Sequence, residues 1–298
     1  SRGWAMIVPA SIRTRIDSAL GVIASDMVIR GGTLMDVYTG RMLPGRFVAI
    51  KDGWITYVGP EGEHCIGKET KVIDAGGRVL CPGYIDAHTH LITYWNMADF
   101  LSYAIPCGVT TLVTESESYA FVAGAVGFRA FLDQIRDRPI NIFALIPPMV
   151  CLSPSLAPRL ITAQEVREFL EDPNVIGLGE SFWQGTIAAD EKRILELITA
   201  TLEAGGSVEG HGAGAYDRKF AAYIATGVQS CHEAVSTDDV LSRLEHGLYA
   251  MIREGDIRRD LDIIAPLRGA IDIRRLILVT DGTNPGPVSY THLTLPTN

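Results

Sequence analysis

The chain carries Asp86-Ala-His88-Thr-His90 at the end of one apolar run, and four further apolar runs end in Glu180, His211, His232 and Asp281. Residues two apart on a β-strand face the same way, so His88 and His90 can grip one ion side by side. Histidine, glutamate and aspartate together suit a divalent ion such as zinc, manganese or iron. Four of the chain's seven histidines stand at such strand ends. Each residue alone has a plainer reading. A His-x-His can arise by accident on a strand, Glu180 can be a helix cap or a solvated strand end, His211 and His232 can be hydrogen-bonded turn histidines, and Asp281 can be a turn or N-cap residue. The recurrence over five strands favours a metal-dependent hydrolase. Glu233, Arg253 and Glu254, at or near strand ends, are open between contact with a heterocycle, support of the ligands and plain salt bridges. His64 and His246 read as surface residues, and His292 falls in an atypical tail.

Ligands at successive strand ends require an architecture that gathers those ends, and a (β/α)₈ barrel does so. From Pro82 onward the sequence alternates strand and helix. The expected strands are Tyr84–His90, Thr110–Thr114, Asn141–Ile146, Val175–Glu180, Ser207–His211, Val228–His232, Ala250–Glu254 and Leu276–Asp281. Between them, Thr162-Ala-Gln-Glu165 and Ser236-Thr-Asp-Asp239 resemble capping boxes. Glu191–Ala204 has apolar helical spacing at Ile194, Leu195, Leu197, Ile198 and Leu202, and stops at Gly205-Gly206. Ahead of this region, short β segments at Met27–Arg30, Arg46–Lys51, Trp54–Val58 and Lys71–Ile73 are separated by Gly31-Gly32, Asp52-Gly53 and Gly76-Gly77. Ser11–Leu20 reads as a short helix. The fold expected is α/β, a (β/α)₈ TIM-type barrel over 83–286 with a small N-terminal β-sandwich-like domain within 1–82.

Bulk properties narrow the partners. A net charge of −9 argues against a nucleic-acid groove, which needs a basic stripe. No apolar stretch approaches the roughly 18 residues that span a bilayer. Ser1–Ala10 is faintly signal-like, but its apolar part is too short. Cys65, Cys81, Cys107, Cys151 and Cys231 are odd in number and scattered, as in a reduced cytoplasmic protein. The start without Met reads as a fragment boundary.

Longer stretches resemble the amidohydrolase superfamily and, within it, the adenine deaminase family. They are Asp26-Met-Val-Ile-Arg-Gly-Gly-Thr-Leu34, Val48-Ala-Ile-Lys-Asp-Gly53, Pro82-Gly-Tyr-Ile-Asp-Ala-His-Thr-His90, Gly177-Leu-Gly-Glu180, Gly210-His211, Ala222-Tyr-Ile-Ala-Thr-Gly227, His232-Glu233, Met251-Ile-Arg-Glu-Gly255 and Val279-Thr-Asp281. The resemblance implies a metal at His88, His90 and Asp281, a second at His211 and His232, and Glu180 bridging them. It further implies hydrolytic deamination of an aminated heterocycle, adenine to hypoxanthine and ammonia. Two ions sharing a water would lower its pKa from about 15.7 toward 7. Asp281 would accept the water's proton and pass it to the departing nitrogen. Manganese, iron and zinc all fit the ligands, and a homodimer is an expectation from the family alone.

Three segments depart from the family pattern. Leu91-Ile-Thr-Tyr-Trp95 replaces Ile-Glu-Ser-Ser, Thr114-Glu-Ser-Glu-Ser118 replaces Asp-Pro-His-Glu, and Gly210-His-Gly-Ala-Gly214 replaces Gly-His-Ala-Pro-Gly. The ligands are kept while the surrounding pocket differs, which leaves another amidohydrolase reaction, on a cyclic amide or imide, as the alternative. Pro287–Asn298 resembles neither a helix nor the family and reads as a non-native tail on a truncated chain. An inactive truncated barrel serving as a binding scaffold is the third reading.

Overall fold

The computed structural model describes residues 9–91, 96–148, 154–188 and 192–282. The 287–298 tail with His292, Cys151, Glu191 and residues 92–95 after the His-x-His lie outside the described residues. The chain divides into two compact units, Ser1–Pro82 and Gly83–Asn298.

The first unit opens with α1 (Pro9–Ala19), followed by β1 (Met27–Asp36), β2 (Arg41–Lys51), β3 (Trp54–Gly59), β4 (Lys71–Asp74) and β5 (Val79–Leu80). They form one mixed sheet in the order β3-β2-β1-β4, with β5 also along β1. Strand β2 runs antiparallel to both β1 and β3, whereas β4 and β5 lie parallel to β1. Asp52 and Gly53 both take positive φ (51° and 75°), the backbone of a two-residue hairpin turn between β2 and β3. Gly31-Gly32, expected as a turn, instead lies inside β1, where the register to β2 shifts between Ile29 and Thr33. A bulge absorbs the extra backbone without ending the strand. Val28, Ala49 and Cys65 form this unit's small core.

The second unit alternates strand and helix: β6 (Tyr84–Thr89), α2 (Met97–Ala104), β7 (Val109–Thr114), α3 (Glu117–Ile135), β8 (Asn141–Ile146), α4 (Ala163–Phe169), β9 (Val175–Phe182), α5 (Lys192–Glu203), β10 (Ser207–His211), α6 (Asp217–Ile224), β11 (Ser230–Cys231), α7 (Thr237–Glu245), β12 (Tyr249–Arg253) and β13 (Leu276–Val279). The eight strands β6 to β13 lie side by side in chain order, each parallel to the next. Residues following β13 return to β6: Asp281 N–H donates to His88 O at 3.0 Å, and Thr280 N–H and Oγ1–H both reach the Asp86 carboxylate. The sheet is thus a nearly closed TIM-type barrel.

The sequence signals account for much of this. Thr162 and Glu165 complete the capping box of α4, and Ser236 accepts from Asp239 N–H at the start of α7. Helix α5 buries Ile194, Leu197 and Ile198, while Leu195 and Leu202 stay outside. Strand β11 is shorter than expected. The β12–β13 crossover holds only 3₁₀ turns, Leu261–Leu267 and Ile273–Arg275, and Pro266 inside the first cannot donate to an α-helical ladder. Leu112, Phe128, Phe131, Ile142, Leu178, Leu197 and Phe220 belong to the main core. Each such side chain contributes about 1.5–3 kcal/mol on burial, which is what holds the strand ends in place.

Candidate metal centre

Strand β6 presents Asp86 and His88 on one face by its two-residue period, and His90 follows one residue beyond its end. Glu180 lies within β9, Glu209 and His211 share one face of β10, and His232 follows β11 directly. Asp281 stands two residues past β13 with φ at 56°, a left-handed backbone that turns its carboxylate back toward β6. Asp and Asn tolerate that conformation better than other side chains do.

These residues converge. Nε2 of His88 lies 3.7 Å from Glu180 Oε1 and 3.3 Å from Asp281 Oδ1. Nε2 of His90 lies 3.2 Å and 3.3 Å from the same two oxygens. On the other side, Glu180 Oε2 is 2.6 Å from His211 Nδ1 and 3.6 Å from His232 Nε2. One carboxylate therefore faces two histidine pairs, an oxygen to each. Within the set, His88, His90, Glu180 and Asp281 can supply one ion, and Glu180, His211 and His232 another. His88 Nε2 is buried and has no hydrogen-bond partner, although two carboxylate oxygens lie within 4 Å. A buried nitrogen aimed between oxygens without bonding either fits a ligand better than a hydrogen-bonded core histidine.

The electrostatics are those of a buried carboxylate cluster balanced by imidazoles. Burial alone would raise the Glu180 carboxyl, but hydrogen bonds from His211 and His90 hold it well below the usual range. Asp281 is likewise depressed by His88 and His90 against its burial. Burial works against charge on His88 and His90 as well, yet their carboxylate neighbours raise both. His232 is lowered, first by burial and then by His88, whose ring stacks on it at 3.9 Å. Glu115 rises through burial and the nearby Glu180 charge, and burial lifts Asp86 to about 6 despite its bonds from Thr280.

Several neighbours of the cluster escape the sequence reading. Glu209 Oε2 lies 3.2 Å from His88 Nδ1, Glu117 Oε1 lies 2.7 Å from His90 Nδ1, and Glu115 Oε1 accepts from Glu180 N–H at 3.1 Å. Glu209 precedes His211 by two residues, the spacing that singled out His88 and His90, and Glu115 follows β7 directly. Arg253 and Glu233 are tied to the cluster: Nη1 of Arg253 reaches Glu233 Oε1 at 2.6 Å and Asp281 Oδ2 at 3.2 Å. Glu233 Oε1 also lies 3.2 Å from His232 Nε2. Glu254 instead accepts from Leu261 N–H. His64 and His246 are exposed and outside the cluster.

A cavity of about 510 Å³ opens beside His90 and Glu180, walled by Phe121, Phe182, Pro147 and Pro148, with Glu115, Glu117 and Gln184 as polar points. Flat apolar walls around a few polar groups suit a planar ring.

No protein-family model matches the chain. Among curated proteins it is 36% identical over 292 residues to adenine deaminase 3 of Rhizobium meliloti (strain 1021), covering 95% of the chain and 48% of that protein. It is 37% identical over 281 residues to an adenine deaminase of Moorella thermoacetica, covering 92% of the chain and 46% of that protein. The chain is similar in sequence to these adenine deaminases. It spans about half the length of the curated relatives it matches. Solved structures add the fold. A β-aspartyl dipeptidase from Fervidobacterium islandicum AW-1 matches with a TM-score of 0.63 at 16% identity, over 87% of the chain and 74% of that protein. An adenine deaminase structure matches with a TM-score of 0.58 at 16% identity, over 89% and 74%. The fold is thus shared with a β-aspartyl dipeptidase and an adenine deaminase, whose names point to different substrates, so the substrate must be argued from the site itself.

Proposed function

We propose that the barrel carries a binuclear metal centre for the hydrolytic deamination of an aminated heterocycle, adenine first among them. The observation that supports this most is the division of Glu180, with Oε1 toward His88 and His90 and Oε2 toward His211 and His232. In this reading His88, His90 and Asp281 would hold one ion, His211 and His232 the other, with Glu180 available to both. Divalent ions bound there would supply Lewis-acid activation, bringing the pKa of a water down from about 15.7 toward 7.

The chain's own residues supply the rest. The apolar walls at Phe121 and Phe182 receive the flat ring and exclude water from its faces. Glu115, Glu117, Glu180 and His90 are the ionisable residues lining the cavity among the described residues, an acidic set that favours a neutral or cationic ring over a carboxylate-bearing one. Water adds to the ring carbon that bears the exocyclic amine. Asp281 takes the water's proton and delivers it to that nitrogen, the carbon–nitrogen bond breaks, and ammonia leaves. Arg253, fixed on Asp281 Oδ2, leaves Oδ1 to face the histidines.

Elemental analysis of the purified chain, followed by ammonia release from adenine, tests the reading. About two transition ions per chain and measurable turnover are expected. Glu180→Gln should lose at least one ion and most of the turnover. Unchanged metal content and turnover in that variant reject the bridging role. Ring-opened acid in place of ammonia would instead point to cyclic amide hydrolysis, and a folded chain without metal would point to a scaffold.

A further inference from the structure

His88 and His90 each have a carboxylate on the ring nitrogen that faces away from Glu180. Nδ1 of His90 meets Glu117 Oε1 at 2.7 Å, and Nδ1 of His88 meets Glu209 Oε2 at 3.2 Å. A neutral imidazole has one N–H, and a carboxylate on Nδ1 keeps the proton there, leaving the Nε2 lone pair free. Both Nε2 atoms then face one pair of oxygens, Glu180 Oε1 and Asp281 Oδ1. The other histidines differ. His211 turns Nδ1 toward Glu180 itself, and His232 Nδ1 is buried without a hydrogen-bond partner.

The supports are themselves well seated. Glu117 is the first residue of α3, where backbone N–H groups favour a carboxylate, and the Ser116 hydroxyl before it donates to Leu145 O at 2.8 Å. Glu209 is 6% exposed inside β10, so its carboxylate has few other places to go.

We propose that Glu117 and Glu209 are positioning residues that fix the Nδ1–H tautomers of His90 and His88, so that the first ion binds more tightly at this pair than at His211 and His232. The proposal rests on the reading of the site as a metal centre. It assigns the order of loading to carboxylates that touch no ion.

The test uses the whole chain, stripped with a chelator and titrated with Co²⁺, followed by visible absorbance and calorimetry. Glu117→Ala should weaken the first cobalt by about 10- to 100-fold, with unchanged circular dichroism. Glu117→Gln, whose amide oxygen still accepts from Nδ1–H, should recover part of the loss, and Glu209→Gln provides the same comparison for the buried support. Side-chain ¹⁵N spectra of the stripped protein, taken at a pH where the His90 ring is neutral, should show its Nδ1–H form in the wild type and a tautomer mixture in Glu117→Ala. Wild-type cobalt affinity and an unchanged tautomer in Glu117→Ala overturn the positioning role alone. A wild type that takes up no cobalt overturns the metal-centre reading beneath it and the proposal with it.

Discussion

The carboxylate of Glu115 fills the space where a side chain on Gly179 would stand. A methyl built at Gly179 would come within 2.1 Å of Glu115 Oε2, while Glu115 Oε1 accepts from the next backbone N–H, that of Glu180. The end of β7 thereby grips β9 directly beside the carboxylate that faces both histidine pairs. Glu115 is 3% exposed, and displacement would carry its carboxylate toward the cavity that it also lines. Gly179 thus leaves the space that the Glu115 carboxylate occupies.

Gly179→Ala should therefore displace Glu115 and free the Glu180 backbone. Overpacking of this kind costs about 1–3 kcal/mol, readable as a lower midpoint in urea unfolding. The same variant should retain less metal than the wild type after dialysis. Wild-type stability together with wild-type metal retention would show that Glu115 moves aside freely, contrary to its burial.

Metal content should also govern stability. The cluster packs Glu180, Asp281, Glu115, Glu209 and Glu233 around four imidazoles, and an ion held only by the folded chain stabilises it by mass action. At a free concentration 100 times the dissociation constant the gain is about 2.7 kcal/mol. Chelation should lower the melting temperature, and Mn²⁺ or Zn²⁺ added back should restore it, whereas Mg²⁺ should do less because it prefers all-oxygen ligands. An identical melt with and without chelator, on protein shown to contain metal, would contradict a centre built from these side chains.

Much of this arrangement is legible in the sequence because two periodicities carry it. Strand alternation places His88 with His90, and the repeated apolar runs place Glu180, His211, His232 and Asp281 at strand ends. The same rule reaches Glu209, two residues before His211, but a glutamate inside an apolar strand has no motif around it to suggest a partner 121 positions away. Glu117 is obscured for another reason: an acidic residue in the first turn of α3 is what any helix start favours. Gly31-Gly32 reads as a turn locally and becomes a bulge only because β2 continues past it. The pairing of Arg253 with Glu233 and Asp281 depends on the side-by-side register of β11, β12 and β13, which local patterns do not encode.

Arg253 is the cation between the ends of those three strands. It is 4% exposed and holds Glu233 and Asp281 together through Nη1, with Asp260 3.4 Å from its Nε. Arg253→Met keeps much of the volume but removes the guanidinium that these carboxylates share. Breaking a buried pair in this way costs about 3–5 kcal/mol, so a large drop in the urea midpoint is expected. Arg253→Lys should rescue only part of it, because one ammonium cannot reproduce the planar fork that spans the separate carboxylates. A midpoint within error of the wild type for Arg253→Met would mean that the cluster supplies its own balance.

Asp281 offers the cleanest separation of chemistry from structure. Its φ of 56° is one that asparagine also adopts readily, so Asp281→Asn leaves the backbone in place, where Asp281→Ala would add strain. The amide oxygen can still accept from Arg253, but the side chain can no longer take up a proton. Turnover of adenine should fall by about 10²- to 10⁴-fold, the usual contribution of a positioned proton carrier, while KM changes little. Metal content measured on the same preparation decides how the loss is assigned: retained ions with lost turnover implicate the proton, and lost ions implicate ligation. Wild-type kcat in a fully loaded Asp281→Asn variant would remove Asp281 from the reaction and move the search for the proton carrier to Glu233, whose carboxylate stands 3.2 Å from His232 Nε2.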